Sequence, residues 1–322
     1  MKILVLGAAG MIGKKLVNAL LHGGMSETKI DELHQYDVVM PPSLDVDIPV
    51  HAMKGDLSHE GEAQRLAALD CDLIFHLASI VSGDAETNFD LGWTSNMRAS
   101  WALFEAIRSR SAMNGGSRPK VIFSSSIAVF GGPYDGPIDD EFLCAPQSSY
   151  GAQKAAIELL LADYCRKGLM DGMSLRLPTI CVRPGNANLA ASSFFSGIIR
   201  EPLNGLEAVL PVEDTTRHWF ASPESAVGFL LHAAQLDTEL LKGRRSLNLP
   251  GVSCTVAEQI EALRTVAGND VVKLIKPQAD EQIRKIVGAW PEDFTASRSK
   301  ALGFQADSNF EAIIRNYIER EL

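Results

Sequence analysis

Short apolar runs alternate with longer stretches of mixed pattern along this chain, and the alternation predicts strand and helix in turn. Lys2–Leu6 reads as a short, continuously apolar strand of the kind buried in a parallel sheet. A helix follows through about Leu21, and a second strand covers roughly Glu32–Tyr36 and ends at Asp37. Val50–Gly55, Asp72–Leu77 and the run opening at Val121, Ile122 and Phe123 read as the next three strands. Helices are predicted over about Asn88–Ser109 and Ser149–Lys167, then a sixth strand over Met173–Ile180. From Pro223 to about Leu236 a helix returns to the sheet, and Ser246–Leu249 is a further strand. The chain closes with a helix from Thr255 to Val266, an apolar strand near Val271–Ile275 and a last helix from about Phe310.

Two of these helices are apolar on more than one face. Trp93, Met97, Trp101 and Phe104 in one, and Ile157, Leu159, Leu160, Leu161 and Tyr164 in the other, cannot all meet a single sheet. Burial of the second face in a homodimer is the expectation. The stretch Trp290–Phe294, with Arg298 and Lys300, reads as surface without recognisable chemistry.

Composition narrows the class. The chain has 322 residues, 46% hydrophobic and 22% charged, enough for a sizeable core in one large α/β unit or two joined domains. Its formal net charge of -10 argues against nucleic acid or an anionic membrane as partner. No apolar run approaches membrane-spanning length, and glycines interrupt the first residues before they could serve as a secretory signal. The five cysteines are scattered, with no Cys-x-x-Cys pair, as in reduced thiols of a cytoplasmic protein. No metal is expected.

The first chemical signal follows the first strand. Gly7, Gly10 and Gly13 are spaced three and three and open a helix. Glycines here permit a tight turn, backbone approach to a pyrophosphate and close packing of helix on strand, and the phosphates sit on free N–H groups at the helix amino end. Asp37 closes the second strand, near where a ribose-binding acid is expected. Its carboxylate accepts from a ribose 2′-hydroxyl and repels a 2′-phosphate, which favours NAD over NADP. The fold expected is a Rossmann-type doubly wound parallel sheet with a smaller, interleaved carboxyl-terminal substrate-binding lobe. The dinucleotide domain comprises 1–177 and about 220–250, and the lobe about 178–219 and 251–322. Asp56 and Leu57 are placed to border the adenine, and Pro178 and Thr179 the nicotinamide. Met11, Ile12, Leu77, Ala78 and Ser124 are further expected around the cofactor. His76, in an otherwise apolar strand, reads as a structural or cofactor-wall residue.

The second signal lies between Ser124 and Lys154. Tyr150 and Lys154 are four apart on a predicted helix and so share a face. An ammonium near a phenol favours phenolate, which makes the tyrosine usable as a general base. Ser126 stands at a strand's carboxyl end, where open α/β sheets bind ligands. Together the three read as a proton-transfer site for a hydroxyl or carbonyl.

GxxGxxG at the amino end, LAS after the fourth strand, SSSIAVFG and YGAQK together resemble the extended short-chain dehydrogenase/reductase superfamily. The resemblance implies that Gly7, Gly10, Gly13, Asp37, Asp56 and Leu57 hold the cofactor. It also implies that Tyr150 is the base, that Lys154 anchors the nicotinamide ribose and that Ser126 binds the reacting oxygen. Phe130 stands where members often carry Tyr. Sugar-nucleotide dehydratases place Asp-Glu after the catalytic Ser or Thr; here those positions are Ile127 and Ala128, so dehydration is not expected.

The carboxyl half, in LRLPTICVRPGNANLAASSFF, PVEDTTRHWFASPESAV and RSLNLPG, is similar to the D-erythronate dehydrogenases. That implies NAD-dependent oxidation of a small 2-hydroxy sugar acid, D-erythronate to its 2-oxo form. On the residues themselves, Arg183 and Arg217 are candidates for the substrate carboxylate, because a guanidinium gives bidentate, charge-assisted recognition. Each could instead cap a helix or pair with a local acid such as Glu213 or Asp214. Thr179, Asn186, Asn188, Ser192 and Ser193 suit hydroxyls, while His218 walls the pocket and Trp219 packs. The alternatives are a nucleotide-sugar epimerase that keeps NAD bound, and a cofactor sensor. The intact Ser/Tyr/Lys set counts against the sensor, which has no need of a base.

Overall fold

Along the first strand Ile3 and Val5 enter one apolar cluster and Leu4 and Leu6 another, and all four are fully buried. Only a sheet covered on both sides accepts that pattern. In the computed structural model, which describes residues 1–25, 28–113, 118–185 and 191–322, such a sheet is the centre of the molecule. The strands in chain order are β1 (Lys2–Leu6), β2 (Glu32–Asp37), β3 (Val50–Lys54), β4 (Leu73–His76), β5 (Lys120–Ser126), β6 (Asp171–Leu177), β7 (Thr179–Ile180), β8 (Ala208–Leu210), β9 (Arg217–Ala221), β10 (Ser246–Asn248), β11 (Val252–Thr255) and β12 (Ile275–Pro277). Seven of them pair in the order β3-β2-β1-β4-β5-β6-β10, every pair parallel. The order reverses between β1 and β4, and the crevice at the carboxyl ends there is where such sheets receive ligands. This is the doubly wound parallel architecture expected.

Leu16, Val17 and Leu20 of the helix Met11–Leu21, with Phe229, Leu230 and Ala233 of the helix Pro223–Gln235, cover one face. Leu103, Phe104 and Ile107, with Ile157, Leu161 and Tyr164 of the helix Ser149–Arg166, cover the other. A third cluster gathers Cys181, Phe195, Ile198, Phe220, Leu263, Ile313 and Ile314 around two small sheets, β11-β9-β7 and β12-β8. Among the described residues no helix is long and apolar enough to cross a membrane.

Four local expectations change. The strand expected over Met173–Ile180 ends at Leu177, and Thr179–Ile180 pairs with β9 in a different sheet. Pro178 has no N–H to continue a ladder, so the chain switches sheets there. The run near Val271 is a short helix, Asn269–Val272, and the strand starts only at Ile275. The helix expected over Asn88–Ser109 is broken into Phe89–Gly92, a π-helical turn Trp93–Arg98 and Ala99–Met113. Finally, Trp290–Phe294 is only partly surface: Glu292 is exposed, whereas Pro291 and Phe294 are buried. Phe294 is buried against Trp219 and Phe130, the Pro291 carbonyl accepts from His218 and the Glu292 carbonyl from Ser253. The Arg298 guanidinium donates to the carbonyls of Ser246, Leu241 and Arg244. Without a recognisable period, burial of that stretch could not be read from sequence.

Candidate active site

The loop after β1 has the shape an anion requires. Gly7 has φ +88, and a Cβ there would lie 2.8 Å from the Ala78 backbone nitrogen at the end of β4. A Cβ on Gly13 would lie 2.1 Å from the Gly7 carbonyl oxygen. Both glycines are therefore required by contact, and the helix Met11–Leu21 packs directly on the turn. No side chain caps that helix and its first turn carries no acid, so the N–H groups around Met11, Ile12 and Gly13 keep their affinity for an anion. Asp37 lies beside the same turn, its carboxylate accepting from Ala9 N at 2.9 Å and Val39 N at 3.1 Å. A carboxylate offers about four lone-pair positions, so two backbone donors leave room for ribose hydroxyls. A glycine cradle, an uncapped helix and a carboxylate at its rim fit a dinucleotide. Asp56 accepts from Ser58 N and Ser58 Oγ, at 2.9 and 2.7 Å, and the adjacent Leu57 is buried.

Tyr150 and Lys154 stand on the helix Ser149–Arg166, capped by the Ser148 side chain, which accepts from Gly151 N. The phenol hydrogen-bonds with Ser79 and Ser126. Burial pushes its pKa up, while those two hydroxyls and the charge of Arg183 pull it down. Ser126 is itself fixed, capping the turn Ile127–Val129 through Ala128 N at 3.1 Å.

The ammonium of Lys154 lies over the Tyr150 ring and is also held by backbone. It lies 5.5 Å above the Tyr150 ring centroid and 4.7 Å from that of Phe123, and donates to the Ser124 carbonyl at 2.8 Å. Ser124 Oγ in turn donates to the His76 carbonyl at 3.1 Å, tying β5 to β4. Arg183 adds its charge to the pull on the phenol. Burial lowers Lys154 to about 7, against the opposing pull of Glu158. Glu158 is occupied by Arg176 at 2.7 Å and by Ser125.

A test follows from the linkage. Between the folded value near 7 and the ordinary 10.5, the unfolded chain binds a proton at Lys154 that the folded chain does not, so this residue's contribution to stability rises with pH across that window. At about 1.36 kcal/mol per pKa unit the buried ammonium costs up to about 5 kcal/mol at neutral pH, against about 1 kcal/mol for its hydrogen bond. Lys154→Met is thus expected to raise the thermal midpoint by several degrees at pH 6–7, with the gain shrinking toward pH 10. Thermal melts of both proteins across that range decide it, and a variant less stable at every pH would contradict the assignment.

The arginines divide cleanly. Arg217 pairs with Glu258 at 3.2 Å, and its neighbour Glu213 pairs with Arg284. Arg183 is part-buried and, among the described residues, held by neutral acceptors, with Nε donating to the Ile180 carbonyl at 3.0 Å and Nη2 to Ser192 Oγ at 2.6 Å. No carboxylate among the described residues reaches it, and the groups that bear on its pKa are Cys181, Tyr150 and Arg200. A part-buried guanidinium with no anion among the described residues can take one from a ligand.

Several of the remaining residues are explained by packing. Leu77 and Ala78 follow β4 beside Gly7, and Pro178 is buried at the end of β6. Thr179 Oγ1 meets His218 Nε2 at 2.6 Å, and His218 Nδ1 meets the Pro291 carbonyl at 3.1 Å. Since a carbonyl only accepts, Nδ1 carries the proton and the Thr179 hydroxyl donates to Nε2. Burial lowers His218 to about 3, so it is neutral, and Thr179 keeps only acceptor capacity. His76 is fully buried, bonded to Ser100 at 2.8 Å and lowered to about 3 by burial, as a structural histidine should be. Trp219 packs, its indole donating to the Leu249 carbonyl. Asn186 and Asn188 lie outside the described residues.

Sequence reading missed two residues. Ser79, one position beyond Ala78, reaches the phenol. Asn96, buried in the π-helical turn, accepts from Ile80 N at 2.9 Å and donates to Gln153 at 2.8 Å, which fixes the loop carrying Ser79. The available signal was an amide inside a broadly apolar helix, since buried amides are normally bonded to something.

Comparison with known proteins adds independent information. The model of the NAD dependent epimerase/dehydratase family matches residues 3–242. A D-erythronate dehydrogenase of Cupriavidus necator is 46% identical over 324 aligned positions, covering 99% of this chain and 98% of that protein. A D-erythronate dehydrogenase of Haemophilus influenzae is 42% identical and covers 100% of both. Among solved structures, a nucleoside-diphosphate-sugar epimerase from Agrobacterium tumefaciens superposes with a TM-score of 0.97 at 50% identity, covering 100% of this chain and 94% of that one.

Proposed function

The chain belongs to the NAD dependent epimerase/dehydratase family, and on that premise we propose that it oxidises the 2-hydroxyl of a small sugar acid, D-erythronate above others, with NAD as acceptor. The observation that carries the reading is Arg183: a part-buried guanidinium with no described carboxylate partner, acting on the same phenol that the chemistry requires. A sugar acid brings the missing charge.

Gly7, Gly10, Met11, Ile12 and Gly13 would hold the pyrophosphate, Asp37 the adenosine ribose, and Asp56 and Leu57 the adenine edge. Leu77, Ala78, Ser124 and Pro178 would flank the nicotinamide, and Lys154 its ribose. Bound NAD supplies the hydride acceptor. Arg183, with Ser192, orients the carboxylate end of the substrate so that its 2-hydroxyl reaches Tyr150, and Thr179, left with acceptor capacity, takes a hydrogen bond from a substrate hydroxyl. Ser126 donates to that oxygen as it becomes a carbonyl, and Tyr150 takes its proton. Arg217 plays no part in the carboxylate site, because Glu258 already holds it. The lobe of 178–219 and 251–322 contributes Arg183 and Ser192, while 1–177 and about 220–250 contribute the dinucleotide half. With all five thiols free, a reducing compartment, the cytoplasm, is the place proposed.

A nucleotide-sugar epimerase is the second reading, favoured by what the Agrobacterium protein is called. The two part on one assay. Net NADH on adding D-erythronate and NAD supports oxidation, whereas conversion of a UDP-sugar to its epimer without net NADH supports the other.

A homodimer belongs to the same proposal. Phe89, Trp93, Trp101 and Leu159 are 62%, 44%, 49% and 74% exposed on the helices covering one face of the sheet, more large apolar surface than a lone chain normally leaves wet. Light scattering is expected to give twice the chain mass, and Leu159→Glu with Trp101→Glu to give the single chain. A wild-type monomer at micromolar concentration would remove the dimer.

A further inference from the structure

At the amino-terminal ends of β2 and β3, opposite the cofactor loops, three potential ligands face one another. Glu32 begins β2, His34 follows two residues on and so shares its face, and His51 of β3 is the register partner of His34. The His34 and His51 Nε2 atoms lie 3.2 and 3.0 Å from the same oxygen, Glu32 Oε1. The rings stack with centroids 4.9 Å apart and 21° between planes, so both edges turn the same way. One donor atom from each residue lies within 4.8 Å of the other two.

His34 is the informative member. It is only 5% exposed, yet among the described residues neither ring nitrogen makes a hydrogen bond, Nε2 meeting Glu32 Oε1 at 3.2 Å as an ion-pair contact alone. Unpaired buried polar atoms call for an explanation. With zinc bonds of about 2.0–2.1 Å, tetrahedral ligand atoms stand roughly 3.3 Å apart, close to the two spacings from the histidines to Glu32 Oε1. Lys2 Nζ, 3.1 Å from Glu32 Oε2, holds the other carboxylate oxygen and leaves Oε1 to the histidines.

We propose that Glu32, His34 and His51 form a site for a zinc-class divalent cation, completed by water, that fastens the edge strand β3 to β2. Two imidazoles and one carboxylate select zinc, nickel or copper over magnesium and calcium. The sequence conceals the site because its ligands come from separate strands and show no ligand spacing. Its consequence is mechanical: β2 ends at Asp37, three residues beyond His34, so a cation there stiffens the strand that presents the ribose-binding acid.

The test is calorimetric titration of the chelator-stripped full-length protein with zinc chloride, with magnesium chloride alongside, and a thermal melt of each sample. One zinc per chain is expected, with a higher melting midpoint in excess zinc and no response to magnesium. His51→Asn and Glu32→Gln, both at accessible positions, are expected to keep the metal-free midpoint and to weaken zinc binding at least tenfold. Lys2→Met, which removes an opposing charge, is expected to tighten it. Absence of saturable zinc binding, or stoichiometric binding that loses less than tenfold in His51→Asn, would overturn the proposal.

Discussion

Tyr150→Phe is expected to lower kcat for the sugar acid by about 10²–10⁴-fold, the usual value of a positioned general base, while leaving the fold and NAD affinity almost unchanged. The substitution removes one oxygen and keeps the ring, whose face is in contact with Lys154. The two serines that lose a partner, Ser79 and Ser126, retain other options, for Ser79 is exposed and Ser126 still caps its turn. In the wild type the reaction needs the phenol deprotonated, and burial holds its pKa above the ordinary value. The rate of oxidation is therefore expected to climb with pH into the alkaline range. Stopped-flow and steady-state rates of both proteins, with dinucleotide affinity measured separately, check the assignment. A variant keeping most of its kcat would remove Tyr150 as base.

Arg183→Met is the second large effect. A bidentate guanidinium–carboxylate contact consists of two charge-assisted hydrogen bonds, each worth about 1.5–3 kcal/mol. Its loss is expected to reduce kcat/KM for D-erythronate roughly 100-fold or more, mainly through KM, since the carboxylate is bound equally in ground and transition states. Arg183→Lys should recover little, because a point charge cannot reproduce the fork. Arg217→Met serves as the control: with Glu258 as its partner, it is expected to change KM by less than a few fold. The reverse ranking of the two arginines would exchange their roles.

The contrast between these arginines also shows how far sequence could go. Both looked suited to a carboxylate, and the acids considered beside them, Glu213 and Asp214, were chain neighbours. Arg217 found its acid in Glu258, across the β9–β11 pairing, and no local pattern carries that information. The amino-terminal half was legible for the opposite reason. Gly7, Gly13 and Asp37 are tied by turn and strand geometry to one short unit, and Tyr150 and Lys154 by one helical turn, so spacing alone conveys their arrangement. Spacing could not say that Lys154 would spend its hydrogen bond on the Ser124 carbonyl, since that depends on how the helix docks on β5. Pro178 stood in plain view inside an apolar run. Its missing N–H ends the ladder, and the change of sheet there brings Thr179 onto His218. Ser79 was passed over because a short serine after a strand looks like any turn residue until Asn96 is seen to hold its loop.

The measurement closest to the centre of this account uses D-erythronate carrying deuterium at carbon 2, mixed with the purified protein and NAD. Deuterium on carbon 4 of the reduced nicotinamide, one per 2-oxo acid formed, together with a slower rate than the protonated acid, is the outcome expected. Reduced nicotinamide free of deuterium, or no reduction at all while a UDP-sugar is epimerised, would contradict it.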